Sequence, residues 1–310
     1  MPDDVLHLRN EELSIELSRF GGSLIAATWR GIPFLKPTAT AGIATQRFGA
    51  ESSFPLVPFG NRIEGNSFTF DGERFFLEPN TSGDPLCLHG DGWLAKWELK
   101  SHSGEQATLS YVHAERAGSP YAYEAVQDVR LEGSTVVVSL KATNMSARPL
   151  PFGLGHHPFF PRTAGTRLEA RAKRIWGERT GHLPDFPGPI PRTLDFTESN
   201  TLPAHWVNNA YDGWDGEAAI EWPERQLALK LETQGAFGCF MIYSPGADAD
   251  FFCFEPMTHL PNAHNMPNEA GGLVALNPGQ GLAGSVSFRL APLTRASRFQ
   301  VESLKADKML

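Results

Sequence analysis

Residues 123–143 read YEAVQDVRLEGSTVVVSLKAT, two extended runs interrupted at Glu132-Gly133-Ser134. Gly-Ser between two such runs is a hairpin signal, so the stretch predicts two antiparallel strands. Val136-Val137-Val138 is β-branched throughout, which suits a strand covered on both faces. Working outward, residues 13–17, 69–77, 107–112, 226–231 and 285–290 alternate apolar and polar side chains, the period of a half-buried strand. Residues 237–243 and 250–255 predict a further pair across Ser244-Pro245-Gly246. No amphipathic helical pattern longer than two turns separates these strands, so a doubly wound sheet is disfavoured and an all-β class is expected. Residues 182–191, HLPDFPGPIP, hold four prolines in ten positions and are expected to form a loop. Similar strand patterns on both sides of that loop argue for one domain over residues 1–310, with periodicity fading into a frayed tail after about residue 295.

The chain of 310 residues carries 27 Lys and Arg against 35 Asp and Glu, a formal charge of −8, with no basic block. That balance disfavours binding to a nucleic-acid backbone. No apolar stretch is long enough to span a membrane. The acidic start, MPDDVLHLRNEELSIEL, has no signal-peptide core, so a cytoplasmic protein is expected. Cys87, Cys239 and Cys253 are too few for a disulfide framework and read as buried free thiols. The 30 glycines and 24 prolines exceed the roughly 12% of an average chain; they imply many short elements joined by turns.

Four segments place polar groups where an apolar pattern would not need them. In FPLVPFGNRI, residues 54–63, the prolines and glycine predict a rigid loop that presents Asn61 and Arg62. The guanidinium offers a planar fork of donors to a polar ligand; the competing reading is an arginine that satisfies loop carbonyls. Leu88-His89-Gly90, followed by Trp93 and Trp97, lets a ligand approach closely beside aromatic faces, although a buried histidine bonded to a backbone carbonyl is commoner. In Gly153–Phe160, GLGHHPFF, adjacent histidines point to opposite faces, and Pro158 biases His157 to extended backbone. A histidine so placed can act as a general acid. In Phe251-Phe252-Cys253-Phe254-Glu255-Pro256 a carboxylate lies in a strongly apolar strand, on the face of Phe251 and Cys253. Desolvation would raise its pKa into the range of a general base; the alternative is a buried Glu that caps loop amides. A metal set of Glu255, His259, His264 and one of His156 and His157 is a further alternative. The nucleophile elbow G-x-S-x-G and phosphate-cradling glycine loops are absent from the sequence.

Taken together, FPLVPFGNRI (54–63), LHGDGW (88–93), HPFF (157–160), EPMTHLPNAHN (255–265) and LNPGQ (276–280) resemble the aldose 1-epimerases, or galactose mutarotases, in the order of that family's motifs. The resemblance implies a large single-domain antiparallel β-sandwich and interconversion of the α and β anomers of a free hexose such as glucose or galactose. It also implies no cofactor, no metal, a monosaccharide as the small-molecule partner, and a monomer or homodimer. Glu255 matches the family's base and His157 its acid. His89, Arg62, Asn61 and Asn208 match substrate-binding positions. Asn208, within VNNAYDGWDG, stands where the family carries Asp, and Gln280 where it often has Glu. Asn208 and the loop at 182–191 are therefore where sugar preference is expected to depart from relatives. Two other functions compete. A glycoside hydrolase or lyase on a related sandwich would want a second carboxylate about 5–10 Å from the first. A non-catalytic sugar-binding protein would not need both Glu255 and His157.

Overall fold

The computed structural model describes residues 4–38, 52–267 and 271–294. The tail expected to fray after residue 295 lies outside them. Two large antiparallel sheets stack face to face, one of 11 strands and one of nine, and the only helical pieces among the described residues are short 3-10 turns. The 123–143 reading holds: Tyr123–Glu132 pairs with Thr135–Asn144, and Glu132 opposes Thr135 across a two-residue turn. Gly133 opens that turn at φ 58, the positive φ that a tight hairpin demands of its first residue. Both strands lie inside the nine-stranded sheet.

The central strands of the larger sheet carry the site. In spatial order they are Ser53–Leu56, Gly155–Pro161, Phe251–Met257, Cys239–Ser244, Val207–Asp212 and Arg174–Arg179. Their two faces have different work, because side chains alternate along each strand. Phe252, Phe254, Phe240 and Phe160 face the second sheet, where the Phe160 ring lies 6.3 Å from Trp222 and 6.2 Å from Phe288. This inner layer belongs to a continuous buried cluster that runs in sequence from Leu6 to Leu290. The opposite face carries Phe54, Leu56, Met241 and Met257 in a second, smaller apolar cluster. It also carries Glu255, paired across the ladder with Met241, and His157, paired with Phe54. An FFCFE run shows no alternation because both its faces are covered.

Three expectations about local structure are corrected. Residues 182–191 are not all loop, since Leu183–Gly188 is a strand paired with Arg174–Arg179. It lies at the sheet edge, where a proline's missing N–H costs no ladder bond. Residues 54–63 are not all loop either, because Ser53–Leu56 pairs with residues 155–158. Its other neighbour pairs only Ser53, so Pro55 sits where that ladder has already ended. Residues 69–77 are not one strand but fall in a hairpin of Ser67–Phe70 and Glu73–Phe76. Asp71 and Gly72, at φ 50 and 77, form its turn, and the alternation carries across them.

The loops after Ser53–Leu56 and around His89 pack back to back over the outer face. A Cβ on Gly90, which has φ +65, would lie 2.5 Å from Pro58 Cδ and 2.6 Å from the Val57 carbonyl oxygen. Backbone cannot yield as a side chain does, so only glycine fits. Gly90→Ala is expected to cost ~2 kcal/mol or more, read as a lower thermal midpoint. An unchanged midpoint would show that the two loops are not in contact.

Candidate active site

Glu255 and His157 meet on the outer face, with 3.3 Å between Glu255 Oε1 and His157 Nε2. They come from adjacent strands of the ladder, which is how residues 98 positions apart in sequence become neighbours. Both are buried, at 2% and 8% exposure. The His157 ring packs against both Phe54 (4.6 Å between centroids) and Phe159 (4.9 Å), which restricts its orientation. Glu255 Oε2 and His157 Nδ1 are buried without a hydrogen-bond partner, so the pair holds unused polar capacity.

Burial decides the charge of this pair. Desolvation raises Glu255 to about 8, against a downward pull from the Arg62 guanidinium. The same desolvation lowers His157 to about 3. Both shifts favour the neutral form, because an ion loses its hydration in an apolar wall. Between those limits the pair holds one proton: a carboxylic acid beside a neutral imidazole.

His89 is fixed in a different way. Its backbone sits at φ 60, and its Nδ1 accepts from the Asn61 backbone N–H at 2.9 Å. A neutral imidazole that accepts at Nδ1 must carry its hydrogen on Nε2. Burial and the neighbouring charges of His157, Arg62 and His259 lower its pKa well below the usual histidine value, so it remains a neutral donor. Its ring stands edge-on to His157 at 5.2 Å. Asn61, at φ 61, supports both neighbours, since its side-chain Oδ1 accepts from the Arg62 backbone N–H at 2.9 Å. Arg62 donates from Nε to Asp84 at 2.7 Å; that contact aims the guanidinium and balances its charge.

Asn208 lies farther along the face. It is opposed to Tyr243, which is opposed to Cys253, and its Nδ2 donates to Glu178 Oε1 at 2.6 Å. Glu178 was not singled out in the sequence. The only signal for it was Trp176-Gly177-Glu178, a carboxylate two places from an aromatic beside a proline-rich segment. Gln280 closes its own turn by accepting from the Asn277 backbone N–H.

The alternative metal set does not assemble. His259 accepts from the Gly60 N–H at Nε2, and its Nδ1 bonds the Leu260 carbonyl, so both ring nitrogens serve backbone. His264 bonds the Tyr121 hydroxyl. Among the described residues the ligand-type cluster is instead His157, Cys253 and Glu255, with donor atoms within 4.8 Å of one another. Burial pushes the Cys253 thiol well above its usual value, so it sits there as a thiol. Cys87, Cys239 and Cys253 are all free and buried. No helix among the described residues is long and apolar enough to cross a membrane.

Comparison with known proteins places the chain and its fold in one family. A family model described as aldose 1-epimerase matches residues 4–289. The uncharacterized protein YphB of Escherichia coli K12 is 41% identical over 291 residues, which cover 91% of this chain and 97% of that protein. A crystal structure from Escherichia coli K12, named as a candidate aldose 1-epimerase, superposes with a TM-score of 0.87 at 38% identity, over 93% of this chain and 99% of that one. The galactose 1-epimerase of Lactobacillus acidophilus NCFM shares the fold at a TM-score of 0.75 and 14% identity, over 92% and 93% of the two chains.

The buried carboxyl carries a stability signature. A folded pKa raised from 4.5 to about 8 means that its favourable contribution is full below the unfolded value and is lost as pH rises through about 8. Glu255→Gln has no such proton to hold. The variant is therefore expected to gain stability over wild type as pH rises from 5 to 8, by on the order of 2–4 kcal/mol at the upper end. Thermal midpoints of both proteins at the two pH values check this. An equal difference at pH 5 and pH 8 would contradict the raised pKa.

Proposed function

Because the chain belongs to the aldose 1-epimerase family of isomerases, we propose that it interconverts the α and β anomers of a free, uncharged hexose by acid–base ring opening and closure. The observation that carries this reading is the contact of Glu255 with His157, 3.3 Å apart and buried among apolar side chains. Burying an unpartnered carboxyl oxygen costs stability, and a binding protein has no use for that cost. A hydrolase would want a second carboxyl beside the first. The group that touches Glu255 is an imidazole, and Glu178 lies three strands away, about 14 Å along the sheet.

Anomer exchange needs one proton removed from the C1 hydroxyl and one delivered to the ring oxygen. The two tautomers of the pair, carboxylate–imidazolium and carboxylic acid–imidazole, contain the same single proton count. Burial favours the second in the free protein. A bound sugar favours the first, because its C1 hydroxyl donates to the Glu255 carboxylate and Arg62 adds positive potential nearby. Ring opening then moves the C1 hydroxyl proton to Glu255 and the His157 proton to the ring oxygen, as the bond from C1 to the ring oxygen breaks and the C1 carbonyl forms. Rotation about C1–C2 and closure on the other carbonyl face reverse both transfers. The net charge of the pair never changes, so an apolar wall can surround it.

His89 contributes a fixed Nε2–H to a sugar oxygen, and Arg62 a second donor group; both hold the ring and steady charge on its oxygens. Phe54, Phe159 and Trp93 supply apolar faces beside them. The free thiols suit a reducing, cytoplasmic setting.

The test is polarimetry or NMR exchange on freshly dissolved α-glucose and α-galactose. The wild type is expected to exceed the buffer rate, and Glu255→Gln and His157→Ala to lose roughly 10²–10⁴-fold each. A wild type at the buffer rate on both sugars would reject this activity for them. The pH profile is a separate check. The competent pair loses its proton near pH 8, so kcat/KM is expected to fall about tenfold per pH unit above that point. A profile flat to pH 10 would remove Glu255 from its role.

A further inference from the structure

The end of the outer face beyond Tyr243 holds a carboxylate that the acid–base step does not use. Arg174 opposes Asp212 and Trp176 opposes Ala210. Two residues beyond Trp176, the Glu178 side chain meets that of Asn208. Its side chain is 22% exposed. It accepts from Asn208 Nδ2 at 2.6 Å, bonds His182 Nδ1 at 2.6 Å, and accepts from Trp206 Nε1 at 2.8 Å. Burial alone would raise its pKa, but these three donors outweigh burial and hold it below the usual carboxylate value. Glu178 is therefore an ionised carboxylate in fixed orientation.

A carboxylate offers about four acceptor sites, and three are taken, so one remains for a ligand hydroxyl. Only an NH2 can face a carboxylate, so the Asn208 amide is committed with Nδ2 toward Glu178, and its oxygen is the atom left for a ligand. Glu178 and Asn208 thus each turn an acceptor oxygen to a ligand. Trp206 stands beside it, 43% exposed, with its indole pinned through Nε1 and its ring 5.1 Å from Tyr243. An aromatic face next to a fixed acceptor matches the two sides of a sugar, one of C–H and one of hydroxyl groups. The arginines nearby are already engaged: Arg62 by Asp84, Arg179 by Glu64 and Arg174 by Asp212, each within 2.7 Å.

We propose that Glu178 and Asn208 form one substrate-binding unit with a single negative charge, which selects uncharged, hydroxyl-bearing sugars and repels anionic ones. The inference rests on the sugar-binding reading above and deepens it. Glu178 supplies the charge and the open acceptor site, and it also positions the Asn208 amide. A carboxylate at position 208 would face Glu178 as a like charge at bonding distance, so the single charge can occupy either position but not both.

That exclusivity supplies the experiment. Wild type, Glu178→Gln, Asn208→Asp and the double variant are compared on galactose and on galacturonate, which places a carboxylate where galactose has a hydroxymethyl group. Binding is read by tryptophan fluorescence and turnover by NMR anomer exchange. Glu178→Gln is expected to raise the galactose KM about tenfold, the loss of one charge-assisted hydrogen bond, with kcat changed far less. It should also narrow the preference for galactose over galacturonate. Asn208→Asp alone should weaken galactose binding by a similar factor. The double variant should return to within about threefold of wild type, because it restores one charge and one amide. A double variant as weak as the product of the single effects overturns the proposal. So does a Glu178→Gln protein with unchanged galactose KM and unchanged galacturonate discrimination. A wild type that binds galactose without accelerating anomer exchange rejects the mutarotase reading instead, and the same cycle is then read in the dissociation constants.

Discussion

A carboxyl group held in an apolar wall with an imidazole as its immediate partner is the constraint around which this molecule is organised. Glu255 and His157 together retain one proton, and neither can become charged alone without the full cost of desolvation. Chemistry that passes protons through both groups at once respects that restriction. Chemistry that leaves a lasting charge on one of them does not. The sandwich makes this arrangement affordable, because its inner layer of Phe160, Phe240, Phe252 and Phe254 stabilises the sheet independently of the outer face. The strands can then carry a desolvated polar pair on their other side.

Around the pair, backbone rather than side-chain chemistry sets orientation. His89 takes its tautomer from one peptide N–H, and His259 spends both ring nitrogens on backbone. Gly153, which would place a Cβ 2.0 Å from the His259 ring, keeps the space that His259 fills. Asn61 and His89 occupy left-handed backbone, a cost of order 1 kcal/mol each that surrounding contacts must offset. Several of the prolines and glycines counted in the composition therefore lie where a loop must turn sharply or approach another closely. Gly60, Gly90, Pro158 and Pro256 each adjoin a site residue. The two ends of the site differ in kind. One is a protonated, neutral pair under desolvation; the other is an ionised carboxylate held by donors. Two glutamates on one sheet face are pushed in opposite directions because one is short of hydrogen bonds and the other is not.

The strand pattern was legible because alternation is a local property. Tyr123–Glu132 and Thr135–Asn144 announce themselves through side chains two apart and a glycine between them. Glu255 was legible for a related reason: a carboxylate in FFCFE contradicts its own surroundings. The family motifs then fixed the fold and the candidate set. Alternation failed where it was masked. Asp71-Gly72 let the pattern run through a turn, and the prolines of Leu183–Gly188 hid an edge strand that needs no donor on its free side.

The sequence by itself determined the all-β class, the family, and the identity of the candidate acid–base residues, since each rests on residue type and local order. Only the tertiary structure decided which groups touch. Ladder register placed His157 against Glu255 rather than against His259 or His264, fixed the proton of His89 on Nε2, and set Glu178 beside Asn208. Register and burial arise from strands distant in sequence, and a local pattern carries no record of its partner. That is why the carboxylate at position 178 was invisible until the strand that bears it was paired.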